Sequence, residues 1–295
     1  MVRPLNLFRY FGGKYYLIDD IYQLAAHVPA KITIFVDAFG GSGTVAVNAP
    51  LYLRQLEVIV WNDISKALYK TMKVLLDDDR RRELFERLDY ALRHYDIFME
   101  YRKWYRETDG DDDTIDDVEV AFRVLYLATH SYASNFQQFG RRKNAEDDIG
   151  ISVKNIQEAI RWLRGRLYIE NDDFRNIIKR WDSPHTLFYL DPPYITAGDN
   201  YNHSFTEQDL ADLAEILKGI KGYYILNESD KDFGVVTKYF GAPTMVKTYY
   251  NTLTNATRSG DYRQEGFWTN FADNVPKQVK LTDYFARRGD SDGKR

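Results

Sequence analysis

Short apolar runs that stop at an acid, an asparagine or a glycine occur at both ends of this 295-residue chain, and the middle is patterned differently. Ile32 to Val36 is β-branched and aromatic, and it ends in Asp37-Ala38-Phe39-Gly40-Gly41-Ser42-Gly43. The spacing predicts a strand, a glycine turn and then a helix over Thr44 to Tyr52. A second strand, Glu57 to Trp61, runs into Asn62-Asp63, with a helix starting near Ser65. This opens a βαβ unit, so parallel strands joined by crossovers are expected. From about 65 to 165 the apolar positions recur every three or four residues, as in Leu84, Leu88, Leu92 and in Val120, Val124, Leu127. That is the helical period. The acidic run Asp109 to Asp113 and the polar stretch Asn135 to Gly150 interrupt it.

Strand-like runs then return. Leu167 to Glu170 precedes Asn171-Asp172-Asp173-Phe174, and Thr186 to Leu190 leads straight into Asp191. Thr206 and Asp209 have the spacing of a helix cap ahead of apolar positions 210, 213, 214 and 217. Gly222 to Leu226 and Gly266 to Phe271 are the remaining strand candidates, and the polar end Ala286 to Arg295 is expected to be disordered.

Composition narrows the picture. The absence of cysteine excludes disulfides, thiolate metal sites and thiol nucleophiles together. The five histidines show no metal-ligand spacing, and His130, on a helical stretch, reads as a packing or capping residue. No run approaches the ~18 apolar residues that span a bilayer, and the start lacks the pattern of a signal peptide. A cytoplasmic protein is the expectation. The net charge of −4 gives no support to a nucleic-acid partner, although a local basic face would suffice for one. The acidic run reads as a solvated loop before a helix start, with a metal site as the lesser alternative.

Two constellations carry chemistry. Gly41-Ser42-Gly43-Thr44-Val45-Ala46 satisfies G-x-G-x-x-A between a strand and a helix, and Asp63 lies 20 residues after Gly43 at the end of the next strand. Glycines allow close backbone approach, and the acid can accept from ribose hydroxyls. This points to a nucleoside cofactor and leaves NAD and S-adenosylmethionine equally open. The second is Asp191-Pro192-Pro193-Tyr194, directly after an apolar strand. Two prolines stiffen the loop and leave its carbonyls free to accept. An acid beside such a carbonyl suits an –NH₂ group with two hydrogens to donate. An aromatic residue next to them offers a face for a base taken out of its stack.

With these residues in place, the chain resembles the adenine-specific DNA amino-methyltransferases of the Dam type. Phe8 to Lys14 resembles their opening aromatic-x-Gly-Gly-Lys motif, and Asp37 to Gly43 their cofactor glycine motif, with Ala38 where proline is more common. Asn62-Asp63, Asp173-Phe174, Asp191 to Tyr194, Tyr201 and Phe205 to Leu217, and Gly266 to Phe271 follow in the family's order, with Asp209-Leu210 in place of the usual Asp-His. The resemblance implies a Rossmann-like α/β methyltransferase domain assembled from 1–64 and 166–285. A helical target-recognition insertion at 65–165 and a tail at 286–295 complete the division. It implies S-adenosylmethionine as cofactor, held by Tyr10, Gly12, Lys14, Asp37, Phe39, Gly41, Gly43, Asp63, Asp173, Phe174 and Asp191. Lys14 is expected near the cofactor's carboxylate.

The resemblance further implies that Asp191, Pro192 and Tyr194 carry catalysis on a flipped adenine of double-stranded DNA. No metal is required, and a cognate restriction endonuclease is an implied partner. Asn135 to Asn144 is only loosely similar to the target-site loop. Within it Arg141, Arg142 and Lys143, together with Tyr201, are the DNA-contacting candidates, the alternative being a solvated basic loop. Methylation of a cytosine amine, of adenine in RNA or of a protein amide remains the near rival, and an NAD-dependent oxidoreductase or a non-catalytic DNA-binding module a more distant one.

Overall fold

A computed structural model describes residues 3–132, 135–140, 153–195, 203–250 and 262–276. Seven strands form one sheet: β1 (Ile34–Asp37), β2 (Val58–Asn62), β3 (Leu167–Glu170), β4 (Thr186–Leu190), β5 (Tyr223–Ser229), β6 (Met245–Tyr250) and β7 (Tyr262–Thr269). Their order is β3-β2-β1-β4-β5-β7-β6. The first five are parallel, while β7 runs antiparallel between β5 and β6. The chain winds outward from β1 in both directions, which makes the sheet Rossmann-like and puts its switch point between β1 and β4. β4 is buried at every position, as a central parallel strand covered on both faces should be.

The described residues contain ten helices: α1 (Ile18–Ala25), α2 (Thr44–Tyr52), α3 (Lys66–Leu76), α4 (Asp78–Asp89), α5 (Tyr95–Thr108), α6 (Asp117–His130), α7 (Val153–Leu163), α8 (Phe174–Trp181), α9 (Glu207–Lys218) and α10 (Phe233–Phe240). On one face Val36, Phe188, Leu190, Leu226 and Trp268 pack with Ile177, Ile178, Leu210, Leu213 and Val236 of α8 to α10. On the other, Phe35, Ile59, Leu187, Ile225 and Phe267 share a continuous core with α1 and α2 and with buried side chains of α3 to α7. Among the described residues, no helix is long and apolar enough to cross a membrane.

Local chemistry explains several starts. Ser65 caps α3 by accepting from Leu68 N at 3.3 Å. Asp116 caps α6 by accepting from Glu119 N at 2.7 Å, which supplies the helix start expected after the acidic run. Thr206 and Asp209 form the reciprocal capping box that their spacing predicts. His130 is buried, stacked on Tyr126 with ring centroids 4.1 Å apart, and its Nδ1 lies 2.8 Å from Tyr126 O. The final strand begins earlier than its apolar stretch suggests, at Tyr262, because its first residues pair with β6. The tail 286–295 and the candidates Arg141, Arg142, Lys143 and Tyr201 lie outside the described residues.

Candidate active site

The glycine motif divides its labour. Gly40 packs against the buried Trp61, and a Cβ there would lie 2.2 Å from the indole Nε1. Gly41, at φ +51°, faces the Tyr10 ring and donates its N–H to Asp63 Oδ2 at 2.8 Å. Gly43, at φ +75°, starts α2 in the left-handed conformation that glycine adopts without strain. Asp37, 1% exposed, reaches across to Ala46 N at 3.2 Å and so caps α2 from β1. Burial, followed by the nearby Asp191, pushes the Asp37 carboxyl well above the ordinary carboxylate range.

Asn62 ties the carboxyl ends of three strands together. It donates to Ala38 O at 2.9 Å and Asp172 O at 3.0 Å, and accepts from Asp172 N at 3.0 Å. Next to it, Asp63 accepts from Gly41 N and from Ser65 N, the latter at 2.9 Å. Burial pushes Asp63 up to about 6, with the Ser65 and Gly41 N–H groups opposing the rise. Asp173 caps α8 and pairs with Arg175, which also clamps Asp209 and Asp212 of α9. Phe39, Phe174 and Phe205 meet as an aromatic trio with centroids 5.4 to 5.9 Å apart. The trio, Asn62, Asp63, Asp173, Arg175 and Asp209 line one cavity of about 390 Å³ together with Tyr10, Gly12, Lys14, Asp191 and Pro192. A volume of that size holds a drug-sized ligand.

The loop after β4 closes one end of this cavity. Lys14, 3% exposed, places Nζ 2.8 Å from Asp191 Oδ1. The same ammonium donates to Gly12 O at 3.0 Å and Tyr194 OH at 3.1 Å, and lies 5.2 Å from the Tyr194 ring centroid. Those three contacts account for the three N–H bonds of a lysine. Burial opposes the Lys14 charge, but Asp191, then Tyr194 and Glu265, outweigh it and hold the ammonium above the usual lysine range. Burial pushes the Asp191 carboxyl up to about 6 against the pull of Lys14. At neutral pH the pair is therefore ionised.

The structure adds residues that sequence patterns did not single out. Behind Lys14, Tyr189 OH donates to Asn227 Oδ1 at 3.1 Å, and Asn227 Nδ2 donates to the buried Glu265 at 2.9 Å. At the cavity mouth His203 Nε2 lies 2.7 Å from Asp109 Oδ2, which ties the α5–α6 turn to the segment ahead of α9. Asn227 follows directly on the strand candidate Gly222 to Leu226, and Asp109 stood out only as one member of an acidic run. Among the described residues, no cluster of His, Asp or Glu could hold a metal ion.

Residues 10–260 match the family model described as D12 class N6 adenine-specific DNA methyltransferase. The chain belongs to that family. Among proteins similar to this D12 chain, Modification methylase StsI of Streptococcus sanguinis is 24% identical over 209 residues, covering 68% of this chain and 29% of that protein. Modification methylase LlaI of Lactococcus lactis subsp. lactis is 23% identical over 223 residues, covering 73% of this chain and 34% of its own length. The chain thus spans about a third of the length of these curated relatives. Among solved structures, the rRNA methyltransferase aviRa from Streptomyces viridochromogenes matches with a TM-score of 0.38 at 16% identity, over 89% of this chain and 87% of that one.

Proposed function

We propose that this D12-family chain transfers a methyl group from S-adenosylmethionine to the exocyclic amine of adenine in double-stranded DNA. One observation carries the reading: the Asp191-Pro192 acceptors open into the same cavity as Gly41 and Asp63. The cavity chemistry fits this cofactor. The aromatic trio Phe39, Phe174 and Phe205 forms an apolar wall suited to a flat base, and Asp63 offers an acceptor for ribose hydroxyls. The acids at the Asp37 and Asp191 end suit a cationic group. They do not suit a dinucleotide, because Asp37 occupies the α2 terminus where a pyrophosphate would need free N–H groups. That disfavours the oxidoreductase reading.

When bound, the sulfonium supplies an electrophilic methyl group. The chain's own residues position the acceptor. The ionised Asp191 and the Pro192 carbonyl each accept a hydrogen bond from one N–H of the adenine amine, which draws its nitrogen toward a geometry with an exposed lone pair; once the N–C bond forms, the surplus amine proton leaves by way of Asp191 to solvent. Lys14 fixes the carboxylate from behind, and the Tyr194 ring offers a stacking face. Positioning of this kind converts an encounter into an in-line attack with no covalent enzyme intermediate. Arg141, Arg142, Lys143 and Tyr201 are proposed as DNA contacts. The modification methylase relatives further suggest that the mark protects DNA from a cognate restriction endonuclease.

Incubation with tritiated-methyl donor and DNA, followed by nucleoside analysis, tests the proposal. Label in N6-methyladenine is expected. Label in methylcytosine, or only in RNA or protein, would overturn it.

A further inference from the structure

A second feature begins two residues beyond Lys14. The 3₁₀ turn Tyr15–Leu17 sets Tyr16 against Tyr249 of β6, with ring centroids 4.6 Å apart. The two hydroxyls are 3.1 Å apart, and they lie 3.1 and 3.3 Å from the same oxygen, Glu265 Oε1. Glu265 is 1% exposed and its other oxygen is held by Asn227, yet Tyr16 itself is 47% exposed. A surface tyrosine ordinarily buries its ring and leaves its hydroxyl in water. Here the arrangement is reversed, with the hydroxyl anchored inside and the ring left open. Lys247 of β6 pairs with Asp20 of α1 at 2.7 Å and braces the support from below.

Place and charge indicate what such a ring meets. β7 is antiparallel to β5, so its first residues lie at the edge where β4 and β5 end, with Glu265 opposite Ser229. That is the edge on which sheets of this kind bind their ligands. Arg263 sits opposite Tyr249 in the β6–β7 register, is exposed, and makes no ion pair among the described residues. An open aromatic face beside an uncommitted guanidinium matches a nucleobase and its phosphate. A ring already fixed at its hydroxyl loses little further freedom on stacking.

We infer that the Tyr16–Tyr249 pair is a stacking platform for a nucleobase next to the target adenine, with Arg263 contacting the backbone of that strand. The inference rests on DNA being the substrate. Its test is steady-state methyl transfer to genomic DNA from a host without adenine methylation, with DNA and donor varied separately. Tyr16→Ala is expected to raise the KM for DNA about 10-fold, within the range for one stacked base. Its kcat and donor KM should stay within about twofold of wild type. Tyr16→Phe keeps the ring and should retain most DNA affinity. Arg263→Ala should lower the slope of log KM against log salt by about 1. An unchanged DNA KM in Tyr16→Ala overturns the platform while the DNA reading stands. So does an equal rise in donor KM, which would mark Tyr16 as support for Lys14. Wild-type protein that labels no DNA overturns both.

Discussion

Replacing Lys14 by methionine separates two roles for this residue. The sequence expectation puts it at the cofactor's carboxylate, whereas the structure engages its ammonium with Asp191, Tyr194 and Gly12. Methionine has similar length and no charge, so Lys14→Met leaves the Asp191 carboxylate without its cation. Removing one partner of a buried pair costs about 3 to 5 kcal/mol. The lower figure applies because Asp191 keeps 15% exposure. At about 1.4 kcal/mol per pH unit, 3 kcal/mol raises the Asp191 pKa by about two. It would move from about 6 to roughly 8. The acceptor must be ionised, so activity falls as pH drops through that value. At pH 7 the ionised fraction changes from about nine-tenths to about one-tenth, a loss of about 10-fold in the methyl-transfer step that returns above pH 9. Single-turnover transfer under saturating donor and DNA, followed from about pH 5 to about pH 9.5, reads this directly. An acidic limb that stays near pH 6 in Lys14→Met would refute the pairing argument. The same unchanged limb with a large rise in donor Kd would assign Lys14 to the cofactor instead.

Other perturbations test separate parts of the site. Asp63 is pushed up to about 6, so donor affinity should weaken as pH falls through that value; Asp63→Asn should raise donor Kd at pH 7 about 10- to 100-fold and flatten the dependence in calorimetric titrations. Glu228 is fully buried, neither oxygen has a hydrogen-bond partner among the described residues, and burial followed by Asp191 and Asp232 pushes its carboxyl well above the ordinary range. Stability gained by keeping that group protonated is lost as pH rises, so Glu228→Leu should raise Tm by a few degrees, about 1 to 3 kcal/mol, and by more at pH 9 than at pH 5; a gain that shrinks with pH would contradict this. Gly40→Ala would drive a methyl group into Trp61 and should lower Tm by several degrees, about 1 to 3 kcal/mol of stability, whereas Gly41→Ala, at φ +51°, adds backbone strain and should lower both Tm and donor affinity in titrations.

The parallel half of the sheet was legible because short apolar runs lead into its polar strand ends, and Leu167 to Glu170 and Thr186 to Leu190 match to the residue. Thr44 to Tyr52 was equally readable because the glycine turn marks where its helix starts. β6 was not, since Met245 to Tyr250 mixes Lys247 and Thr248 into an edge strand with one wet side. α1 and α10 are short helices of eight residues, close to the length at which periodicity stops discriminating. Within the site, groups that answer to a local motif were visible, such as Gly41, Asp63 and Asp191. Groups defined by long-range pairing were not. Lys14 meets Asp191 across 177 positions and Tyr16 meets Glu265 across 249, and a single sequence carries no signal for either distance.

The charge distribution of the cavity links stability to turnover. Asp37, Asp63 and Asp191 are all displaced upward by burial, and among the described residues Lys14 is the one lysine or arginine paired with any of them. Packing carboxylates this closely opposes folding, because each ionised form is held away from water. The same crowding creates a field that favours a cationic ligand and becomes less favourable once that ligand is neutral. In the proposed transfer a sulfonium becomes a neutral thioether, so acids that favour the charged donor would hold the product less tightly. Lys14 limits how far this can go, since it keeps Asp191 ionised and directed at the acceptor amine. A cavity lined by neutral groups would fold more stably, but it would lose both the preference for the charged donor and the ionised acceptor that the proposed transfer requires.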